Sequence, residues 1–361
     1  MNQHYVPRVY LKYFSKEKKG EFFTDVYDKS NDRYFNSNIK KICAEKHLYT
    51  LDEDSETAKD SLAIENMYGS LIEPMYRKAY DILTDNTIFN ISLSQRSEIL
   101  IGVFQLYMRN PRFLKNAIKH HKSQISILYQ KAITEKKKGL TYLDEDFSFR
   151  EYSKDDIIEF FISKVKKDFK EKHLIGTREI CEFHENAIFG VEEIKDDGQF
   201  FTSDNPLVFE DLITKDEHPL LKSKEFLIPL NSKFLLKIFH DKDMSPNYIY
   251  RRKVLNGTAD LMNEQIFKES SRFIIGKKEA FEKYFKIADK ILNSTSLESK
   301  IDLFRQVIKK VPNTDEYKES LNLIKYYLEK YDKDKTLSKE DEHNLMMYMK
   351  KSNAEKKKSK L

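Results

Sequence analysis

The chain has 361 residues, enough to bury a large core and to form one large or two medium domains. Charged residues make up 34% and aromatics 13%, with no Trp and little Gly or Pro, a composition that excludes global disorder and favours helix. Its net charge of +5 is a small difference between 64 basic and 59 acidic residues, so charge alone does not imply a nucleic-acid partner.

Cys43 and Cys181 stand far apart in no metal-ligand spacing and read as reduced thiols. The first residues are polar and no apolar run reaches the length of a spanning helix, so the expected location is cytoplasmic.

Near the N-terminus, Pro7 suits a first helical turn, and Val6, Tyr10 and Phe14 follow at helical spacing. His4 is expected just before that helix, where backbone N–H groups favour negative charge. The segment 21–28 reads as a strand, 29–32 as its turn and 33–35 as the start of the return. A short helix running into a strand is expected over 39–49. Residues 56–83 predict one amphipathic helix, with Glu65 inside its apolar band.

Ser92 and Gln95 form a capping-box pattern ahead of Ile99, Leu100, Val103, Phe104 and Tyr107, the clearest helix of the chain. Gln105 and Arg109 share a face of it. A guanidinium there needs a carboxylate, a carbonyl or an anion, and Pro111 kinks or ends the helix. Further helices are expected over 113–139 and 153–172, with a loop at 140–150. Candidate strands follow at 177–183, 187–191, 199–202, 226–230 and 234–238. The strand ending at Pro229 is read as an edge strand or one stopped by the proline. A helix over 254–273 places Asn263 beside its apolar face, and a short strand follows at 274–276.

The fold class is therefore α+β, mostly helical, with a small and mainly antiparallel sheet packed on helices. A core domain over 1–278 precedes a helical extension over 279–349, with segments at 279–292, 298–310, 315–331 and 338–350. A basic tail over 350–361 carries six lysines and one glutamate and reads as disordered.

At the centre of the chain, Phe200-Phe201-Thr202-Ser203-Asp204-Asn205-Pro206-Leu207 ends a strand in a polar turn. It is expected to connect strands within one sheet and to present the Asp204 carboxylate and the Asn205 amide to a pocket. Together with His4, Glu65, Arg109 and Asn263, these are polar groups set against apolar surroundings. Each is costly to bury alone, so convergence on one pocket is expected. His4 then suits a general acid or base, and Arg109 a bidentate clamp for phosphate or carboxylate. Asp204 and Glu65 suit water activation or Mg²⁺ binding, and Gln105, Asn205 and Asn263 substrate binding.

The chain resembles the microbial family called domain of unknown function 4238. The resemblance rests on His4-Tyr5-Val6-Pro7 with Tyr10-Leu11 and Phe14, on Ile64-Glu65, and on Gln105 with Arg109-Asn110-Pro111. It rests further on Thr202-Ser203-Asp204-Asn205-Pro206 and on Asn263 to Gly276. It covers about residues 2–277 and implies one shared site without an activity. No Gly-rich phosphate loop, zinc spacing, dinucleotide fingerprint or serine elbow is visible. Three readings stand. The first is a hydrolase of nucleic-acid or nucleotide phosphoesters, of toxin-like or phage-defence type. The second is a non-enzymatic nucleic-acid or partner-binding module. The third is a structural or regulatory protein pinned by its polar cluster.

Overall fold

The computed structural model describes residues 2–51, 60–209, 220, 223, 225–254 and 256–292, and beyond them 298, 301–302, 305, 315–334, 336–338 and 341. The chain divides into two compact units, Met1–Phe281 and Glu282–Leu361. The architecture is α+β, and the sheets are antiparallel except for one pair. No described helix is long and apolar enough to cross a membrane.

His4 does not precede the first helix directly. It ends a strand, β1 (Asn2–His4), paired antiparallel with β5 (Ala44–Lys46). Pro7 lies just outside helix α1 (Arg8–Leu11), with extended ψ, and a 3-10 turn at Lys12–Phe14 follows. The second strand, β2 (Lys16–Lys18), pairs with β3 (Glu21–Asp28), and β3 pairs with β4 (Arg33–Asn38). The expected short helix before β5 is a single 3-10 turn, Ile39–Lys41.

The predicted helix over 56–83 is broken. Its first residues lie outside those described. From there α2 (Ala63–Met67), a π turn (Tyr68–Ile72) and α3 (Glu73–Thr84) follow one another. Helix α4 (Leu93–Met108) opens with the Ser92–Gln95 capping box in place. It is buried on nearly every side, packing between α3 and α6 (Lys154–Phe183) and against a five-stranded sheet. Pro111 opens α5 (Pro111–Thr134), where its missing N–H costs nothing, with Asn110 as N-cap.

Two expectations fail between α5 and the sheet. The loop at 140–150 is a hairpin, β6 (Gly139–Tyr142) and β7 (Glu145–Ser148), whose Leu140 and Phe147 cover Ile157 and Phe161 of α6. The strand expected at 177–183 is the last part of α6. Phe169, His173, Thr177, Ile180 and Cys181 are buried at helical spacing. β-branched residues raise strand propensity locally, but the 3.6-residue period continues through them and prevails.

The larger sheet has the order β10 (Val208–Phe209), β11 (Glu225–Pro229), β12 (Phe234–Phe239), β8 (Ile188–Ile194), β13 (Ile249–Val254), with β13 parallel to β8. β11 is an inner strand stopped at Pro229 rather than an edge strand. A second sheet has the order β2, β3, β14 (Phe273–Gly276), β9 (Thr202–Ser203), with β4 on β3. The central polar turn therefore does not lie within one sheet: it carries the chain from β9 in the second sheet to β10 in the first. Helix α7 (Asn256–Glu269) runs into this junction from the other side.

Tyr10 fastens the two sheets together. Its hydroxyl donates to the Pro229 carbonyl at 2.9 Å and accepts from Thr202 Oγ1 at 2.6 Å. Arg96, buried in α4, donates to the carbonyls of Glu185, Ala187 and Pro246, so main-chain acceptors hold the exit of α6.

Further on come α8 (Lys278–Leu292) and, in the second unit, α9 (Asp315–Asp334). Most of the expected helix over 298–310, nearly all of that over 338–350, and the basic tail lie outside the described residues.

Candidate functional site

The sequence-predicted residues fall into two neighbourhoods placed back to back. His4 and Arg109 serve one side, while their neighbours Tyr5 and Asn110 serve the other.

On the first side Arg109, at the end of α4, is almost fully buried. One Nη donates to the backbone carbonyl of His4. The other meets Gln105 Oε1 at 3.5 Å and Glu73 Oε1 at 3.8 Å. The guanidinium carbon lies 3.7 Å from the centroid of the Tyr68 ring and 5.7 Å from that of Tyr49, a cation–π arrangement. Tyr49 donates its hydroxyl to the Arg109 carbonyl.

Behind Tyr68 stands His173. The Phe169 carbonyl can only accept, so His173 Nδ1 carries the proton and Nε2 accepts from the Tyr68 hydroxyl. Burial, with the charge of Arg109, lowers the His173 pKa to about 4. His4, half-buried, is lowered to about 4 by burial and by the charges of Arg8 and Arg109, with backbone hydrogen bonding at Ile39 and Lys40 opposing. Glu65, half-buried on α2, is pushed above the usual carboxylate range by burial, with Glu73 adding to this and Arg109 and Arg8 opposing it.

Three sealed atoms around this guanidinium have no hydrogen-bond partner among the described residues: His4 Nε2, Glu65 Oε2 and Arg109 Nε. Buried polar atoms are nearly always bonded, so water or another polar group is expected to meet these three.

The second side differs. The Asp204 carboxylate accepts from three backbone N–H groups, Ser271 at 2.9 Å, Arg272 at 2.7 Å and Phe273 at 3.1 Å. The Asp204 carbonyl accepts from Asn110 Nδ2 at 2.7 Å. Asn263 bridges two backbone groups, accepting from Phe201 N at 3.0 Å and donating to the Gln199 carbonyl at 2.9 Å. Asn205 donates to the Glu269 carbonyl at 3.2 Å, and its Oδ1 has no partner among the described residues. A shallow concavity lined by Asn205, Asn116, Arg112 and Glu269 lies here, with room for roughly one water.

The structure thus brings His4, Glu65, Gln105 and Arg109 together and places Asp204, Asn205 and Asn263 elsewhere. Asp204 and Glu65 do not make a Mg²⁺ site. The Asp204 carboxylate is committed to three N–H donors, and Glu65 faces two guanidinium charges, which oppose a cation. No group of three or more His, Cys, Asp or Glu side chains able to hold a metal ion occurs among the described residues.

Sequence reasoning missed Arg8, Tyr49, Tyr68, Glu73 and His173. Tyr68 was readable in part, since it follows Glu65 by three residues and shares its face. His173 lies between the expected helix and the expected strand, in what is continuous α6.

The histidines give a pH prediction. Unfolded histidine titrates near 6.5, while His173 and His184 are held near 4, His184 by burial foremost. The unfolded chain binds more protons between these values. The stability these residues contribute is complete above pH 6.5 and is lost as pH falls toward 4. His173 alone accounts for about 3 kcal/mol over that range. Urea unfolding at pH 7 and pH 5 checks this, and a His173→Gln variant flattens the dependence.

A family model described as "Protein of unknown function (DUF4238)" matches residues 2–280. No curated protein and no solved structure matches the chain.

Proposed function

We propose, for a chain that belongs to the DUF4238 family, hydrolysis of phosphoester bonds in nucleic acids or nucleotides at the His4–Glu65–Arg109 site. One observation carries this reading. His4 and Glu65 both lie in the field of the buried Arg109 guanidinium, and His4 Nε2, Glu65 Oε2 and Arg109 Nε are buried without a hydrogen-bond partner among the described residues.

The chemistry follows from the protonation states. His4 is neutral at pH 7 and free to take a proton from the attacking water. Glu65 has its proton affinity raised and suits protonation of the leaving oxygen. The Arg109 guanidinium, with its Nη groups bonded to the protein, supplies a preorganised positive field for the charge that develops on the phosphoryl oxygens. Asp204 acts at a distance by holding the junction of the two sheets. No step requires a metal.

The test is incubation of the full chain with RNA, DNA and nucleotides, with EDTA or with Mg²⁺. Cleavage is expected in EDTA, and Glu65→Gln is expected to lower the rate by about 10²-fold or more with little change in melting temperature. A Glu65→Gln or His4→Ala protein as active as wild type overturns the assignment, as does the absence of any cleavage.

A second reading has its own observation. Asp204 and Asn263 are satisfied entirely by the chain, as in a network whose work is to pin the fold. If that holds for the whole set, substitutions at His4 and Glu65 lower stability and change nothing else.

A further inference from the structure

The π turn at Tyr68–Ile72 has a cause in the sequence and a consequence at Arg109. Pro74 has no N–H for the Ser70 carbonyl, and its ring crowds that carbonyl in a regular helix. The helix widens there by one residue, a distortion that recurs at functional sites. Packing does not demand the glycine in the turn, for a Cβ on Gly69 would meet nothing within 4 Å.

The consequence is angular. At about 100° per residue an unbroken helix sets positions 65 and 73 about 80° apart. With one residue absorbed by the π turn, seven effective steps remain, which is within about 20° of two full turns. Glu65 and Glu73 then share a face, with Tyr68 between them and Arg109 opposite. Glu73 Oε1 is 3.8 Å from Arg109 Nη1, the Tyr68 ring centroid is 3.7 Å from the guanidinium carbon, and Glu65 Oε2 is buried with no hydrogen-bond partner among the described residues.

We infer that Glu73, brought round by the π turn, is a positioning residue: it occupies Arg109 from one side and so leaves the Glu65 carboxyl to the substrate. This rests on the hydrolytic reading of the site. Two carboxylates face one guanidinium, and Glu73 is the one at ion-pair distance from it. A Glu65 bound to Arg109 would hold its charge and lose its use as a proton donor. The other groups facing the pair are Arg8 from α1, His4 from β1, Glu45 from β5, Tyr49 after it, and His173 from α6.

The test compares Glu73→Gln and Glu73→Asp with wild type by ¹³C NMR titration of the glutamate carboxyls, by the pH profile of hydrolysis and by melting temperature. In Glu73→Gln, Glu65 is expected to take over the ion pair. Its titration midpoint falls by about one pH unit and the alkaline limb of the rate profile moves down with it. Glu73→Asp restores part of both. An unchanged Glu65 midpoint in Glu73→Gln, with only the melting temperature lowered, overturns the inference. If wild type cleaves no phosphoester, the hydrolytic reading fails alone, and the NMR midpoint still decides whether Glu73 governs Glu65.

Discussion

Asp204→Ala is expected to destabilise the protein by about 4 kcal/mol. Three backbone N–H groups, those of Ser271, Arg272 and Phe273, point at one buried carboxylate. Removing it leaves all three without their acceptor at the exit of α7, and an unsatisfied buried donor costs about 1–3 kcal/mol. The loss also reaches the sheet. Phe273 opens β14, and β14 joins β9 to β3, so the second sheet depends on the placement of that residue. Asp204→Asn keeps one acceptor oxygen and is expected to cost about half as much. Urea unfolding gives the magnitudes. Hydrogen exchange at Ser271–Phe273 should rise ahead of the rest of the chain. An Asp204→Ala protein within about 1 kcal/mol of wild type would show that water replaces the carboxylate and that the turn holds itself.

The same carboxylate illustrates what the sequence could and could not convey. The turn at Asp204-Asn205-Pro206 was legible as a polar element with a special task, because Asp beside Asn before Pro is turn chemistry. Its partner was not legible. Ser271, Arg272 and Phe273 meet the carboxylate through backbone N–H groups, which no side-chain pattern announces. Arg109 was readable for the opposite reason: a guanidinium on the apolar face of α4 needs a counterpart wherever it ends up. The pairing with Glu73 was hidden, since its register depends on a π turn that an amphipathic reading of 56–83 treats as regular helix. Long elements with a sustained period, such as α4, were clear. Short ones whose existence depends on a distant strand were not. β9 has two residues and pairs with β14 across some seventy positions of chain. β13, missed altogether, exists through its parallel pairing with β8.

Arg109→Met is expected to cost about 3–5 kcal/mol and to loosen the N-terminal strand specifically. The side chain does three separable things. It bonds the His4 carbonyl, pairs with Glu73 and Gln105, and covers the face of Tyr68. Methionine replaces much of the volume and none of the donors. Glu73 is 28% exposed and can turn to water, which keeps the cost below that of a fully stranded charge. The His4 carbonyl has no such recourse, so amides of β1 and β5 should exchange faster in Arg109→Met than in a control variant of equal stability. Arg109→Lys separates charge from shape. A single ammonium cannot reach the His4 carbonyl and Glu73 while lying flat on Tyr68, because the fork and the plane belong to the guanidinium. Lysine should therefore recover less than half of the lost stability and little of the protection at β1. If Arg109→Lys matches wild type on both measures, the site needs only a positive charge at that point, and the geometry that joins the N-terminal strand to the Tyr68 ring carries no energy of its own.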